Sequence, residues 1–542
     1  MAAAPITRTC SFALALLLAL PAAAQQLPQQ QSATPEIDLR DYARARAADA
    51  AGEPALAAPG YARALAVVPD DKVLAMRAYR QALAAGDYAL ARRAADALAR
   101  AKAAPPDTEI LNFALAVNGR DRLAAEKALE RMSKAQLDFL VPVLGAWLAL
   151  DRGADPLPLL DTARGNPLAL RFTNRHRALL LLAEGKAEQG LFALAAARGT
   201  EDAPDVRIDA GITLLRTGRK READRVLGDF AGATKAWRKW VAKGGKPGVA
   251  FGAAHAFLSL ANDLGGEEMA PLSILLARAA LLLDPQEERA RLVLAEALSK
   301  SGATELALQT LAGIRTDGPF ARGAVAGRVS ALRRAERLPE ALAEAKALAG
   351  SNKASAQEVA VYGELLFSAE RYGDAADAFG RALDRAEGDG GWELNYRRGA
   401  ALDRAGKWDA ALPALQRAVQ LGPDEPEALT WLGNAQAERG VDLPGAQALL
   451  ERARRLKPED PEVIDSLGHA YYADGELQKA LPLLEKAVQL DPGGTRPNEH
   501  LGDLYWKLGR RMEARYAWRA AEVAAEAGDA ERIKAKLANG LN

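Results

Sequence analysis

The sequence predicts an all-α solenoid of stacked antiparallel helix pairs, and three observations carry that expectation. The first is composition: 49% of the 542 residues are hydrophobic and 26% charged, yet only 6% are aromatic. Much of the apolar share is Ala and Leu, both strong helix formers, whereas a sheet-rich enzyme would want more Val, Ile, Tyr and Phe. The second is punctuation. Apolar-periodic stretches of about a dozen residues alternate with breaks such as Val68-Pro69-Asp70-Asp71, Asp284-Pro285, Gly422-Pro423 and Asp491-Pro492, and no stretch shows the period-two alternation of a half-buried strand. The third is self-similarity: Pro423, Pro458 and Pro492 recur about every 34 residues, each after a helix containing Ala and Leu, which is the period of a helical repeat array.

The first residues read as an export leader. Arg8 gives a positive start, Phe12 to Leu20 an apolar run, and Pro21-Ala22-Ala23-Ala24 a small-residue cleavage site before Gln25. The run is far short of the roughly 20 residues that a spanning helix needs, so no transmembrane segment is expected in the mature chain. Cys10, the single cysteine, precedes the apolar run, and cleavage leaves no thiol for a disulfide, a nucleophile or a metal. Residues 25–36, QQLPQQQSATPE, are polar and broken by proline, which describes a flexible tether. The expected location is periplasmic or secreted. Formal net charge is zero, and removing a leader that carries Arg8 but no acid leaves −1, so nothing pulls the chain toward nucleic acid.

Near the C-terminus one unit runs Ile464, Leu467-Gly468, Tyr471, Gly475, Ala480, Leu484, Ala487, Pro492, and the next runs Leu501-Gly502, Tyr505, Gly509, Ala514, Trp518, Ala521. This pattern resembles the tetratricopeptide-repeat family, which implies a right-handed superhelix. The same frame decays upstream through Gly399, Gly406 and Ala411, then Gly363, Tyr372 and Ala375, and survives in fragments before that, with 137–170 and 232–270 the least regular. The expected organisation is a leader at 1–24, a tether at 25–36, degenerate repeats at 37–270, intermediate repeats at 271–391, clear repeats at 392–528 and a charged amphipathic capping helix at 529–542. Small residues are required where helix axes come close, with Gly468 expected to face Ala480 and Ala487 to meet the following unit. One helix pair cannot bury its own apolar face, so neighbours must stack. The last repeats also look like secreted tetratricopeptide proteins of proteobacterial envelopes, which implies an export route and a scaffold.

Catalytic groups are sparse. His176, His255, His469 and His500 are the only histidines, and there is no H-E-x-x-H, C-x-x-C, G-x-S-x-G or Walker-type loop. No catalytic residue, cofactor or metal is therefore expected, although His469 and His500 lie in adjacent units and can approach one another. Acids at unit starts, such as Asp460 and Glu462, read as complements to a helix N-terminus.

Family resemblance implies that the first helix of each pair lines a concave groove whose outward stripe holds ligands. Carried onto this sequence, the stripe includes Tyr396, Asn434, Asp465, His469, Tyr472, Glu499, Asp503 and Trp506. It is rich in acids and departs from the Lys and Asn pattern with which peptide-binding members clamp a carboxylate. The expected ligand is an extended segment with basic and aromatic or apolar character, anchored by Tyr472 and Trp506, unless those two rings merely pack against neighbouring repeats. A second candidate is a basic patch at Lys235, Trp237, Arg238, Lys239 and Lys243, suited to an anionic polymer or head group. Trp237 and Val241 share one helical face there, which equally suits a core stripe covered by lysine stems. The functional expectation is a non-catalytic scaffold or adaptor in the bacterial envelope with protein or peptide partners. Its alternatives are a component of exopolysaccharide or outer-membrane export machinery and a periplasmic enzyme with a site in the groove.

Overall fold

A computed structural model describes residues 38–163, 165–198, 204–228, 230, 232–264 and 266–541. The leader at 1–24 and the tether at 25–36 lie outside these residues. The described residues form 30 α-helices and three short 3-10 turns, with no strand among them, and most helices pack on the next, Lys235–Val241 packing instead on Pro204–Arg216. The protein is an all-α solenoid. Among the described residues no helix is long and apolar enough to cross a membrane.

Helix boundaries follow local chemistry. Helix Pro461–Ala473 starts where the Asp460 carboxylate accepts the Glu462 and Val463 amides at 3.0 and 3.3 Å, with proline at the position whose N–H no helix needs. It stops at Gly475, whose φ of +80° lets the Glu476 amide turn back onto the Tyr471 carbonyl at 2.8 Å.

Pairing is set by close approach. A Cβ added to Gly468 would lie 2.7 Å from Leu484 Cδ2, so the glycine faces Leu484 rather than Ala480 as the sequence suggested. The same contact recurs sixteen or seventeen residues apart in Gly363 with Phe379, Gly399 with Leu415, Gly433 with Leu450 and Gly502 with Trp518. It is also present far upstream, in Gly211 with Leu227. A large side chain on the second helix fills the space that the missing Cβ vacates. Ala480 and Ala487 are fully buried as well, so the small side is built on both helices.

The N-terminal half departs from the row of degenerate repeats expected at 37–270. One continuous core runs from Ala45 to Ala324, whereas the C-terminal repeats hold several smaller cores. Helix Val249–Asn262, inside the stretch read as irregular, has 11 of its 14 residues buried. It packs on Val141–Asp151 and Thr108–Asn118, while helix Ala270–Leu283 packs on Thr108–Asn118 and Lys72–Ala85. A helix that is apolar all round must sit inside other helices, and these two are the axis around which the earlier pairs close. Phe113 meets Phe257 edge-on at 6.4 Å, and Gly252 lies so close to the Trp147 ring that a Cβ would come within 2.1 Å of it. The seam is latched by Tyr88, whose hydroxyl donates to the Arg278 carbonyl at 2.8 Å, and by the Arg278 guanidinium, which donates to the Leu83 carbonyl at 3.0 Å and to that of Ala84. The core thus crosses position 270 without a break, and helix Ala270–Leu283 belongs to this lobe rather than to the repeats that follow.

Closure also buries a charge cluster. Arg289 donates to Glu287 at 2.7 and 2.8 Å and to Asp209 at 2.5 Å, while the His255 Nδ1 lies 2.9 Å from Asp209. All four residues are at most 5% exposed. Burial works to raise the Asp209 carboxyl, but Arg289 and then His255 outweigh it and hold the group far below the ordinary carboxylate range. Asp209, His255 and Glu287 present ligand atoms within 4.8 Å of one another, and the Arg289 guanidinium balances the same two carboxylates.

Two outcomes follow for stability. Gly468→Val should destabilise the C-terminal array by about 1–3 kcal/mol through overpacking against Leu484, read as a lower denaturant midpoint for that array. Arg289→Ala leaves two carboxylates buried without their cation, and should cost the N-terminal lobe about 3–5 kcal/mol. The check is loss of hydrogen-exchange protection in helix Val249–Asn262 with the C-terminal repeats still protected.

Candidate functional site

The first helices of the C-terminal pairs, Gly391–Arg404, Pro426–Arg439, Pro461–Ala473 and Thr495–Lys507, lie side by side, and helix Ala527–Asn539 follows at the open end. Together they form a groove of about 720 Å³. Of the expected stripe, Asn434, His469, Glu499 and Asp503 line it. Asn434 is half-buried, donates to Glu438 at 2.9 Å and accepts from Arg496 at 3.0 Å.

Asp465 is not on the surface: it is 2% exposed, and both its oxygens meet His500 Nδ1, at 2.9 and 3.0 Å. The His500 ring stacks on His469 with centroids 4.2 Å apart and planes 17° from parallel, so the two histidines do come together. His469 keeps its Nδ1 without a partner. Burial, followed by the neighbouring His500, pushes its pKa down to about 3, so the imidazole is neutral at physiological pH.

The acids of the stripe are already matched. Glu499, 3% exposed, accepts from Arg532 at 2.6 and 2.8 Å and from Lys536 at 2.7 Å. Burial opposes ionisation of this carboxyl, yet the Arg532 and Lys536 hydrogen bonds bring it down to about 2. Asp503 takes Lys536 at 2.6 Å and the Trp518 indole N–H at 2.8 Å. Further up the array Asp403 takes Arg439 and the Trp431 indole, and Glu364 takes both Arg333 and Arg397. Six carboxylates face five Arg and Lys side chains along the groove. The acidic stripe read from the sequence is therefore close to neutral, because cations about one repeat away pair with it.

The expected aromatic anchors are corrected in the same way. Trp506 donates its indole N–H to the Leu541 carbonyl at 3.2 Å, lies 5.3 Å from the Trp518 ring and is closed over by the chain at Gly540. Tyr472 is half-buried against the core of its own repeats and stacks at 6.1 Å on His469. Neither ring stands free in the groove: the C-terminal segment covers Trp506, and Tyr472 packs within its own repeats. Tyr396 fares differently: with Phe367 and Trp431 it lines a hollow of about 330 Å³ that shares Trp431 with the charged groove. Its ring meets Trp431 edge-on at 5.9 Å and Trp392 at 6.2 Å.

Trp431, Phe367 and His500 were missing from the sequence-derived site. The available signal was a large aromatic within four residues of a crossing glycine on a first helix: Phe367 beside Gly363, Tyr396 beside Gly399, Trp431 beside Gly433.

The basic patch divides. Lys235, Lys239 and Lys243 are exposed. Trp237 is 1% exposed and donates to Glu288 at 3.3 Å. Arg238 is tied to Asp224 at 2.5 Å and to the carbonyls of Ala233 and Gly228 at 2.8 and 3.0 Å. Two of the five residues thus build the core and its edge, and Lys235, Lys239 and Lys243 are the exposed part of the patch.

Family models of the tetratricopeptide repeat match residues 396–461 and 461–493, meeting at the first residue of helix Pro461–Ala473. Residues 396–493 of the C-terminal array carry tetratricopeptide repeats. Arrays of this kind are protein–protein interaction scaffolds, and neither match is to a catalytic family. Several solved structures are similar over part of the chain. YrrB, a tetratricopeptide protein with an unusual peptide-binding site, is 25% identical with a TM-score of 0.28, over 32% of this chain and 88% of its own. TTC0263, a thermophilic tetratricopeptide protein in Thermus thermophilus, is 23% identical with a TM-score of 0.30, over 34% of this chain and 98% of its own. A tetratricopeptide protein from Parabacteroides merdae is 14% identical with a TM-score of 0.36, over 54% of this chain and 99% of its own. No curated protein matches the chain.

The neutral His469 sets a pH dependence. Its folded pKa of about 3 lies below the ordinary histidine value near 6.5. Between those values the unfolded chain binds a proton that the folded one refuses, so stability is full above about pH 6.5 and falls as pH drops toward 3. His469→Phe should flatten that slope in the C-terminal array, checked by denaturant midpoints at pH values of about 7, 5.5 and 4.

Proposed function

We propose that this protein is an interaction scaffold of the bacterial cell envelope, holding an extended segment of a partner protein along the concave face of its tetratricopeptide array. The observation that carries this reading is one groove with two chemistries. An aromatic hollow at Phe367, Tyr396 and Trp431 adjoins a polar channel at Asn434 and His469, and Trp431 lines both. An apolar or aromatic side chain of the segment enters the hollow and displaces water there. Its backbone and polar groups follow the channel, where ion pairs already neutralise most of the charge, so shape and hydrogen bonding select the partner more than net charge does. A strongly basic ligand therefore loses the support that an unpaired acidic stripe would have given it. The envelope location rests on the leader-like residues 1–24 and the absence of thiols after them.

A photoreactive residue placed at Asn434 in intact cells should give a discrete crosslinked partner, and the same residue at Tyr516, 62% exposed on a second helix, should not. Adding Trp431→Ala should weaken capture by about 2 kcal/mol, some thirtyfold, with the array still folded. Identical adducts from both positions, or capture indifferent to Trp431, would remove the groove from the proposal. Fusing roughly the first 40 residues to a reporter active only outside the cytoplasm tests the location separately.

A further inference from the structure

The closed N-terminal lobe contains a second cavity, of about 240 Å³, remote from the groove. Five stretches distant in sequence meet there: the turn at Gly52, helix Lys72–Ala85, the loop before Thr108–Asn118, the start of Ala270–Leu283 and the turn after Glu288–Lys300. It exists only because the lobe closes.

Two of its lining residues each carry a buried side-chain oxygen with no hydrogen-bond partner, the Tyr79 hydroxyl and Asp107 Oδ1. Tyr79 is 3% exposed, on a helix face whose packing a phenylalanine would satisfy. Asp107 stands at the start of helix Thr108–Asn118, but its side chain makes no capping hydrogen bond there. Burial raises the affinity of that carboxyl for a proton, and its own backbone amide and Arg80 act in the opposite direction. An acceptor kept from water without a donor costs about 1–3 kcal/mol, which a bound group can relieve.

The rest of the wall narrows the chemistry. Pro54, Pro105 and Pro271 have no N–H to offer, Met76, Leu83 and Ile274 are apolar, and the other uncharged polar side chains are engaged elsewhere, Gln81 donating to Asp49 and Ser301 to the Leu298 carbonyl. A ligand must therefore bring its own donors for Asp107 and Tyr79, together with an apolar body. Arg80 lines the same cavity, is exposed, and adds a positive charge. The volume is below the range of about 300–1,000 Å³ usual for drug-sized ligands, but far above the roughly 30 Å³ of one water. Those limits describe a compact molecule.

We propose that this cavity binds a small zwitterion of the α-amino-acid class. Its ammonium donates to Asp107 and to the Tyr79 hydroxyl oxygen, its carboxylate faces Arg80, and an apolar side chain lies against Met76, Leu83 and Ile274. The site is independent of the partner groove.

The experiment is calorimetric titration of the full chain with L-leucine, L-valine and L-methionine, and with n-butylamine and butyrate as half-ligands. At least one amino acid should bind saturably at one site, and both half-ligands should bind at least about tenfold more weakly. Asp107→Asn should weaken the amino acid about tenfold or more, Tyr79→Phe about fivefold, and Arg80→Ala should abolish its advantage over n-butylamine. Circular dichroism on each variant establishes that it is folded, and Tyr79→Phe, which removes one oxygen, keeps the test open if Asp107→Asn unfolds. Silence from all five probes up to roughly 10 mM would overturn the proposal. So would binding unchanged by Tyr79→Phe and Asp107→Asn, or butyrate binding as well as the amino acids.

Discussion

Helix axes in this protein are brought together by a glycine on one helix seated against a large side chain on its partner. At Gly468 and Leu484, as at Gly502 and Trp518, no Cβ fits, and the bulky residue occupies the space it would need. The contact fixes how near the helices lie and which faces turn outward. From that follow the depth of the groove and the side chains that line it. Gly252 against Trp147 applies the same constraint between elements about a hundred residues apart, and there it closes a lobe instead of extending a row.

The two halves answer one problem in different ways. An amphipathic pair with one apolar stripe leaves its polar face in water and must add neighbours end to end, which yields an open array with a long concave surface. A helix such as Val249–Asn262, apolar on all sides, has no polar face to leave outside, so earlier pairs wrap around it. Enclosure then imposes its own demand: Asp209, Glu287 and His255 are buried with Arg289, whose guanidinium pairs with both carboxylates. An open array offers surface to a chain-like partner, whereas a closed lobe offers enclosed volume.

Electrostatics along the groove are organised across repeats. Carboxylates on one first helix meet cations on the next, as in Asp403 with Arg439 and Glu499 with Arg532. These pairs align neighbouring helices while removing most of the charge that the acidic residues seem to advertise. What remains for recognition is the aromatic hollow, the Asn434 amide and the neutral His469 beside His500.

Much of the fold was legible because helix pairing is local. The period near Pro458 and Pro492, the glycine at each left-handed turn and the glycine at each crossing lie within one repeat, so a single stretch of sequence declares them. Upstream the turns persist while their signature fades: Arg120, Glu336 and Glu370 adopt the left-handed conformation that Gly475 and Gly509 take elsewhere. Asn434 and His469 were readable as groove residues because their helical phase is local too. The covering of Trp506, the pairing of Glu499 and Asp503, the closure around helix Val249–Asn262 and the cavity at Tyr79 and Asp107 were not. Each depends on which distant segment arrives to fill a space. Sequence alone determined the helices, their pairing and their period, since those are fixed by contacts within roughly one repeat and its neighbour. Tertiary structure alone decided which polar groups are spent on each other and which are left to meet a ligand, since that follows from neighbours that periodicity does not specify.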